Sequence, residues 1–216
     1  MATTKPTAHA PTLVLLVRHG TTPSTGKLLP GRAPGLHLSE KGQAQAEAAA
    51  QRIAELERPP VAVYASPLER TRETAQPIAR ALGLRVRRAP GLIECDFGDW
   101  TNKQLRRLAK KPEWRQVQSN PSGFRFPNGE SFLEMATRSS QAVTDLARAH
   151  PGETIVAVSH ADPIKAILSA AAGAPLDLFQ RLTVNPCSIS ALLLTSHGPH
   201  VLATNSTASL KEIALQ

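Results

Sequence analysis

Short apolar runs alternate along most of the chain with longer stretches rich in Ala, Gln, Glu and Arg. Leu13–Val17 is apolar at every position, and Thr154–Ser159 is apolar through its middle. Unbroken runs of this length suit strands buried on both faces of a parallel sheet. Val61–Ala65 predicts a second strand, and the alternation over Leu84–Arg88 a third. Ser39 is placed to cap a helix reaching about Glu57, which Pro59-Pro60 would stop. Pro67 suits the first position of another helix, closing near Leu82 and Gly83, with Pro77 expected to kink or split it. A helix from Ser131 to about Ala149, a helix over Pro163–Ala172, and closing strands over Ser188–Thr195 and Val201–Thr204 complete the pattern. No repeat of solenoid period is present. The alternation predicts an α/β protein, a three-layer α/β/α sandwich around a mostly parallel central sheet.

Residues 95–130 break this rhythm. They hold both tryptophans, three phenylalanines, several prolines and one short helical piece near Gln104–Lys110. An irregular stretch of this length in a compact domain suits a cap or binding loop. The aromatic residues equally suit a local core beneath a long loop. The expected organisation is a flexible tail over 1–11, a single domain over 12–205 with 95–130 as its cap, and a C-terminal tail over 206–216.

With 216 residues, 41% hydrophobic and 19% charged, the chain has the profile of one globular α/β unit. Two cysteines, Cys95 and Cys187, are too few for a disulfide framework or a cysteine-based zinc site. The opening residues carry neither a secretory signal nor a membrane span, so a cytoplasmic protein is expected. The net charge of +8 raises nucleic-acid binding, and Lys103, Arg106, Arg107, Lys110, Lys111 and Arg115 carry part of it. These cations would occupy more than one helical face, with no nucleic-acid motif beside them. A solvated basic surface is the simpler reading, and no nucleic-acid partner is expected.

The candidate chemistry lies at strand ends. Leu13–Val17 runs into Arg18-His19-Gly20, and the strand at 154–159 runs into His160-Ala161-Asp162. In a parallel sheet both ends lie on one edge, where open α/β sheets place their ligands. The second strand leads to Arg70, one turn into a helix, and the third leads to Glu94. Arginine holds phosphate oxygens through paired donors, and a neutral imidazole can attack phosphorus. Two arginines, two histidines and one acid around a single pocket would suit phosphoryl chemistry. His37, His150, His197 and His200 are expected at the surface, with no metal-ligand spacing among them.

The chain resembles the histidine phosphatase superfamily, in its phosphoglycerate-mutase-like branch, over about Leu13 to Thr204. The resemblance rests on five blocks: Leu16-Val17-Arg18-His19-Gly20-Thr21-Thr22; Ser66-Pro67-Leu68-Glu69-Arg70-Thr71-Arg72-Glu73-Thr74-Ala75; Glu94-Cys95-Asp96-Phe97-Gly98-Asp99-Trp100; Asn128-Gly129-Glu130-Ser131; and Val158-Ser159-His160. It implies His19 as the nucleophile that becomes phosphohistidine. Arg18, Arg70 and His160 would hold the phosphoryl group, with His160 most useful when protonated. Glu94 would serve as general acid, then as base. Departures fall at Thr25 and Pro30, where members often carry Asn and Gln, and at Ala161, where Gly is common. Thr25, through its hydroxyl, and Ala161, through its N–H, remain substrate-binding candidates.

The block at Glu94–Trp100 is of the phosphatase type, and two further stretches resemble a bacterial subgroup labelled as phosphomutases. The resemblance therefore implies a phosphatase acting on a small phosphorylated metabolite, with no metal or other cofactor. A phosphoglycerate-type mutase is the alternative, and a non-catalytic phosphate-binding protein is the third reading. Arg106, Arg107 or Lys110 would attract a second anionic group on the substrate. A homodimer through the Leu210–Leu215 tail or an edge strand is compatible with the chain.

Overall fold

In a computed structural model of the chain, the structure describes residues 10–208. Six strands form the central sheet: β1 (Thr12–Arg18), β3 (Ala62–Ala65), β4 (Val86–Arg88), β6 (Thr154–Ser159), β7 (Ile189–Thr195) and β8 (Gly198–Ser206). A second sheet pairs the two-residue strands β2 (Leu28–Leu29) and β5 (Lys103–Gln104) antiparallel. The helices are α1 (Glu40–Ala54), α2 (Glu69–Ala81), α3 (Leu105–Leu108), α4 (Pro112–Ser119), α5 (Phe132–Arg148) and α6 (Ala161–Ala171).

The order across the main sheet is β4-β3-β6-β1-β7-β8. The first four are mutually parallel, and β7 and β8 add an antiparallel hairpin. The run Leu13–Val17 explains its place at the centre. Leu13, Leu15 and Val17 pack against Ile53 of α1 and Ala75 and Ile78 of α2. Val14 and Leu16 face the other way, onto Val143 of α5 and Ile164, Ile167 and Leu168 of α6. Successive side chains on a strand point to opposite faces, so an all-apolar strand demands helices on both. The three layers follow from that.

Several boundaries differ from those the sequence predicts. α2 starts at Glu69, with Leu68 at its cap position, so Pro67 lies outside it. Ser66 still belongs to the strand end, because its N–H donates to Val158 O at 3.0 Å. Pro77 does not split α2, which runs unbroken past it. Proline costs the helix one N–H, but Ala75, Pro77, Ile78 and Ala79 are all buried, and packing on that face holds the helix together. α6 begins at Ala161, two residues before Pro163, with His160 in extended backbone at its cap. β8 extends to Ser206, past the expected Thr204, and pairs antiparallel with β7.

Residues 95–130 hold more structure than the one short helix expected, since α4 follows α3 with Pro112 in its first turn. Phe97, Trp100, Leu108, Val117, Phe124 and Phe126 are buried with Phe132 and Met135 of α5 and with Phe179. The aromatic residues of this stretch thus form a local core. Gly98 takes φ +49°, and a Cβ there would sit 2.0 Å from Pro127 O, so only glycine lets the two segments approach. No helix among the described residues is long and apolar enough to cross a membrane. Leu210–Leu215 lies outside the described residues.

Candidate active site

The three central parallel strands deliver the site. Arg18 ends β1 opposite Ser159 of β6, and the next N–H, that of His19, donates to Ser159 O at 3.0 Å. His160 therefore emerges beside His19, and their rings meet edge to face at 5.2 Å between centroids. Ser159 Oγ donates to Leu92 O at 2.7 Å, which draws the turn carrying Glu94 onto the same sheet edge. Glu94 Oε2 then lies 4.0 Å from His160 Nδ1. Arg70 comes from the first turn of α2, and its Nη2 donates to Gly31 O at 2.8 Å. Gly20 N–H donates to Thr74 Oγ1, whose hydroxyl donates to Arg70 O, tying the turn after β1 to this helix. Arg18, His19, Arg70, Glu94 and His160 are thus gathered at one edge, as their strand ends predict.

All but Arg18 are deeply buried: Arg70 and His160 are fully enclosed, and His19 and Glu94 are 6% and 7% exposed. The hydrogen bond of His19 fixes where its proton sits. His19 Nδ1 lies 2.8 Å from Gly20 O, and a carbonyl can only accept, so Nδ1 carries the proton. Burial, Arg70 and Arg18 hold the His19 pKa well below the usual imidazole value. The ring is neutral, and its lone pair sits on Nε2. His160 Nε2 pairs with Ser66 Oγ at 2.8 Å. Its pKa is also held well below the ordinary value, by burial and then by Arg70, His19, Arg18 and Arg138. The protonated His160 anticipated from sequence is therefore not the state of the empty pocket, because four neighbours that are or could become cationic oppose it.

Glu94 shows the opposite shift. Burial, and then the neighbouring Asp162 carboxylate, push its pKa up to about 7 against the pull of Arg70, the Cys95 N–H and Arg18. Asp162 in the first turn of α6 is itself raised by burial, with Lys165 and Arg18 opposing. A carboxyl group tuned to neutrality can both give and take a proton near neutral pH.

Of the seven described side-chain polar atoms that are buried without a hydrogen-bond partner, four lie here: Arg18 Nε, Arg70 Nε and Nη1, and His160 Nδ1. Buried polar groups are normally paired, and an orphaned donor costs about 1–3 kcal/mol. Orphans concentrated on two guanidiniums and an imidazole mark a cradle for an oxyanion.

The other substrate-binding candidates are less central. Thr25 accepts from the Thr22 N–H at 2.9 Å and shares a hydrogen bond with the Thr22 hydroxyl, so its oxygen is engaged within its own loop. Ala161 opens α6, and its N–H belongs to the first turn, whose donors lack intrahelical partners. Lys103, Arg106, Arg107, Lys110, Lys111 and Arg115 are exposed, and among the described contacts Arg106 alone makes a side-chain hydrogen bond, to Gln104. Residues not singled out from sequence also belong to the site: Ser66 through His160, Asp162 through Glu94, and Gly31 through Arg70. Ser66 and Asp162 stand inside recognised motifs, whereas the Gly31 carbonyl leaves no trace in a sequence. His37, His197 and His200 are exposed, as expected, and His150 is half-buried, its Nε2 pairing with the Tyr64 hydroxyl at 2.8 Å.

Comparison with known proteins decides the family. The profile of the histidine phosphatase superfamily (branch 1) matches residues 14–207. The chain belongs to the histidine phosphatase superfamily. Phosphoserine phosphatase 1 of Hydrogenobacter thermophilus is 32% identical over 192 residues, spanning 86% of this chain and 90% of that protein. A protein of Erwinia tasmaniensis named probable phosphoglycerate mutase is 36% identical over 181 residues, 82% of each chain. The crystal structure of a phosphoserine phosphatase from Entamoeba histolytica with phosphoserine superposes with a TM-score of 0.82 at 27% identity, covering 92% of this chain and 99% of that one. With phosphatases among both its relatives and its structural neighbours, this member of the histidine phosphatases is a phosphoric monoester hydrolase.

Proposed function

We propose that the protein hydrolyses a small phosphorylated metabolite through a phosphohistidine on His19, without a metal. The observation that carries this reading is the set of unpartnered guanidinium donors on Arg18 and Arg70, with the unpaired Nδ1 of His160, beside the free Nε2 of a neutral His19. The substrate phosphoryl group would take up those donors. His19 Nε2 attacks phosphorus in line, the bond to the leaving oxygen breaks, and that oxygen takes the proton of Glu94. Water then gives a proton to the Glu94 carboxylate and attacks the phosphohistidine, releasing inorganic phosphate and restoring His19. Charge on the equatorial oxygens is met by fixed guanidiniums, the main requirement of phosphoryl transfer. Residues 12–205 would act as one domain, with 95–130 as the cap beside this pocket.

Phosphate release from a panel of phosphorylated metabolites, phosphoserine and phosphoglycerate included, tests the activity. Brief exposure to a labelled monoester should leave an acid-labile, alkali-stable phosphoenzyme. Turnover with no such species would exclude the covalent route. The relative named as a phosphoglycerate mutase favours a second reading, mutase activity. Sustained isomerisation of phosphoglycerate without net phosphate release would establish that reading in place of the first.

The state of Glu94 fixes a pH dependence. The acid must be protonated to serve the leaving group, so kcat/KM for an alkyl phosphate should fall about tenfold per pH unit above roughly pH 7. His19 is neutral well below that pH, so its deprotonation does not set this limb. In Glu94→Gln the alkaline limb should vanish together with most of the activity, and its persistence at the same pH would assign it to another group.

A further inference from the structure

The side chain of Glu94 can meet a leaving oxygen only if its backbone is held in place, and 91–94 is a turn followed by extended chain. Its carbonyls converge on one side chain. Arg138, from the middle of α5, donates through Nη1 to Gly91 O at 3.0 Å and Ile93 O at 2.8 Å, and through Nη2 to Glu94 O at 2.9 Å. Its remaining donors bind Glu130 as a fork: Nε to Oε1 at 2.7 Å and Nη2 to Oε2 at 2.9 Å. Arg32, from the loop after β2, donates through Nε to the same Glu94 O at 2.8 Å and through Nη2 to Glu130 Oε2 at 2.9 Å. Glu130 is held ionised, since the two arginines outweigh the upward push of burial. The residue before Arg32, Gly31, accepts from Arg70. One network therefore spans the acid's backbone and a phosphate-facing arginine.

We infer that Arg138, with Arg32 and Glu130, is a positioning clamp that sets the reach of Glu94 toward the leaving group, an inference that rests on the acid role proposed for Glu94. A planar guanidinium can hold three carbonyls and a carboxylate at once. A lysine ammonium, a point donor, cannot span them. Misplacing a catalytic group by about 1 Å costs on the order of 10²-fold, so the clamp acts on rate while touching no substrate.

The test measures first-turnover release of the leaving group from a series of monoesters running from alkyl phosphates to 2,4-dinitrophenyl phosphate. A dinitrophenolate leaves without a proton, whereas an alkoxide needs one. Glu94→Gln should lose about 10²–10⁴-fold on alkyl phosphates and little on the dinitrophenyl ester. Arg138→Lys should show the same slope at about 10–100-fold on alkyl phosphates with KM nearly unchanged. Arg32→Met, on a half-buried residue, should do so more weakly. Added to Glu94→Gln, Arg138→Lys should cost less than about 3-fold more, because two changes acting through one group do not add.

A uniform loss across the series, or an equal loss in the Glu94→Gln background, would reduce Arg138 to a support of the fold and overturn the clamp. If Arg138→Lys fails to fold, the slope in Arg32→Met decides: a flat one overturns the clamp. A flat slope in Glu94→Gln itself would instead remove the acid role of Glu94, and the clamp with it.

Discussion

Replacing His19 with alanine is expected to lower phosphatase turnover by at least about 10⁴-fold while the fold persists. No long-range hydrogen bond among those described ties the imidazole into the fold. It is 6% exposed, its one described side-chain hydrogen bond is to the carbonyl of the next residue, and its ring lies edge to face with that of His160. The backbone that positions it stays pinned by the bonds from His19 N to Ser159 O and from Gly20 N to Thr74. Arg18, Arg70 and His160 remain to bind phosphate, so the variant should still retain a phosphate ester. Malachite-green detection of phosphate, phosphoenzyme labelling and ligand-induced melting shifts check the three parts separately. Turnover within tenfold of the parent would end the case for His19 as nucleophile.

Arg70→Met is expected to separate activity from stability. Arg70 is fully enclosed, and two of its three nitrogens find no partner. Burial lowers its pKa, against the attraction of Glu94 and Glu69. A buried guanidinium with incomplete bonding is costly to the fold, and an apolar side chain of similar volume in its place is often neutral or stabilising by about 1–4 kcal/mol. The lost bond to Gly31 O works in the other direction. In phosphate-free buffer Tm should therefore hold or rise, while kcat/KM falls by about 10³-fold or more through the lost clamp on the transferred group. Phosphate raises the Tm of the parent by mass action and should leave that of Arg70→Met almost unmoved. A variant that melts early, or that phosphate still stabilises as strongly as the parent, would show that Arg70 serves the fold first.

Much of the site was legible because its chemistry sits where the strands end. An all-apolar Leu13–Val17 and a mostly apolar Thr154–Ser159 have few alternatives to central parallel strands, so the placement of Arg18, His19 and His160 on one edge follows from topology. The place of Glu94 follows less directly from the strand pattern, since the edge strand before it is only three residues long and the turn is held by Ser159 and Arg138. The Arg138–Glu130–Arg32 network could not be read at all. Its partners are carbonyls and residues far away in the chain, which follow no helical or strand period. α4 escapes the pattern because it spans only eight residues and buries Val117 alone, too few turns for a helical period to show. α2 starts later than the sequence predicts because Pro67 fits a helix entry by propensity, while Ser66 is tied into the sheet and to His160.

The position of β6 between β3 and β1 also governs when the site can exist. As the chain leaves the ribosome, β1 and β3 appear early, yet neither pairs with the other in the finished sheet. Until Thr154–Ser159 emerges, both carry open hydrogen-bonding edges and depend on a late, long-range closure, the slow and aggregation-exposed kind. His160 arrives on that same segment. The phosphate-facing groups therefore gather only when β6 docks, and the second edge of β1 stays open until Ile189–Thr195 pairs with it; a chain arrested before β6 would carry Arg18, His19, Arg70 and Glu94 without a pocket to hold them.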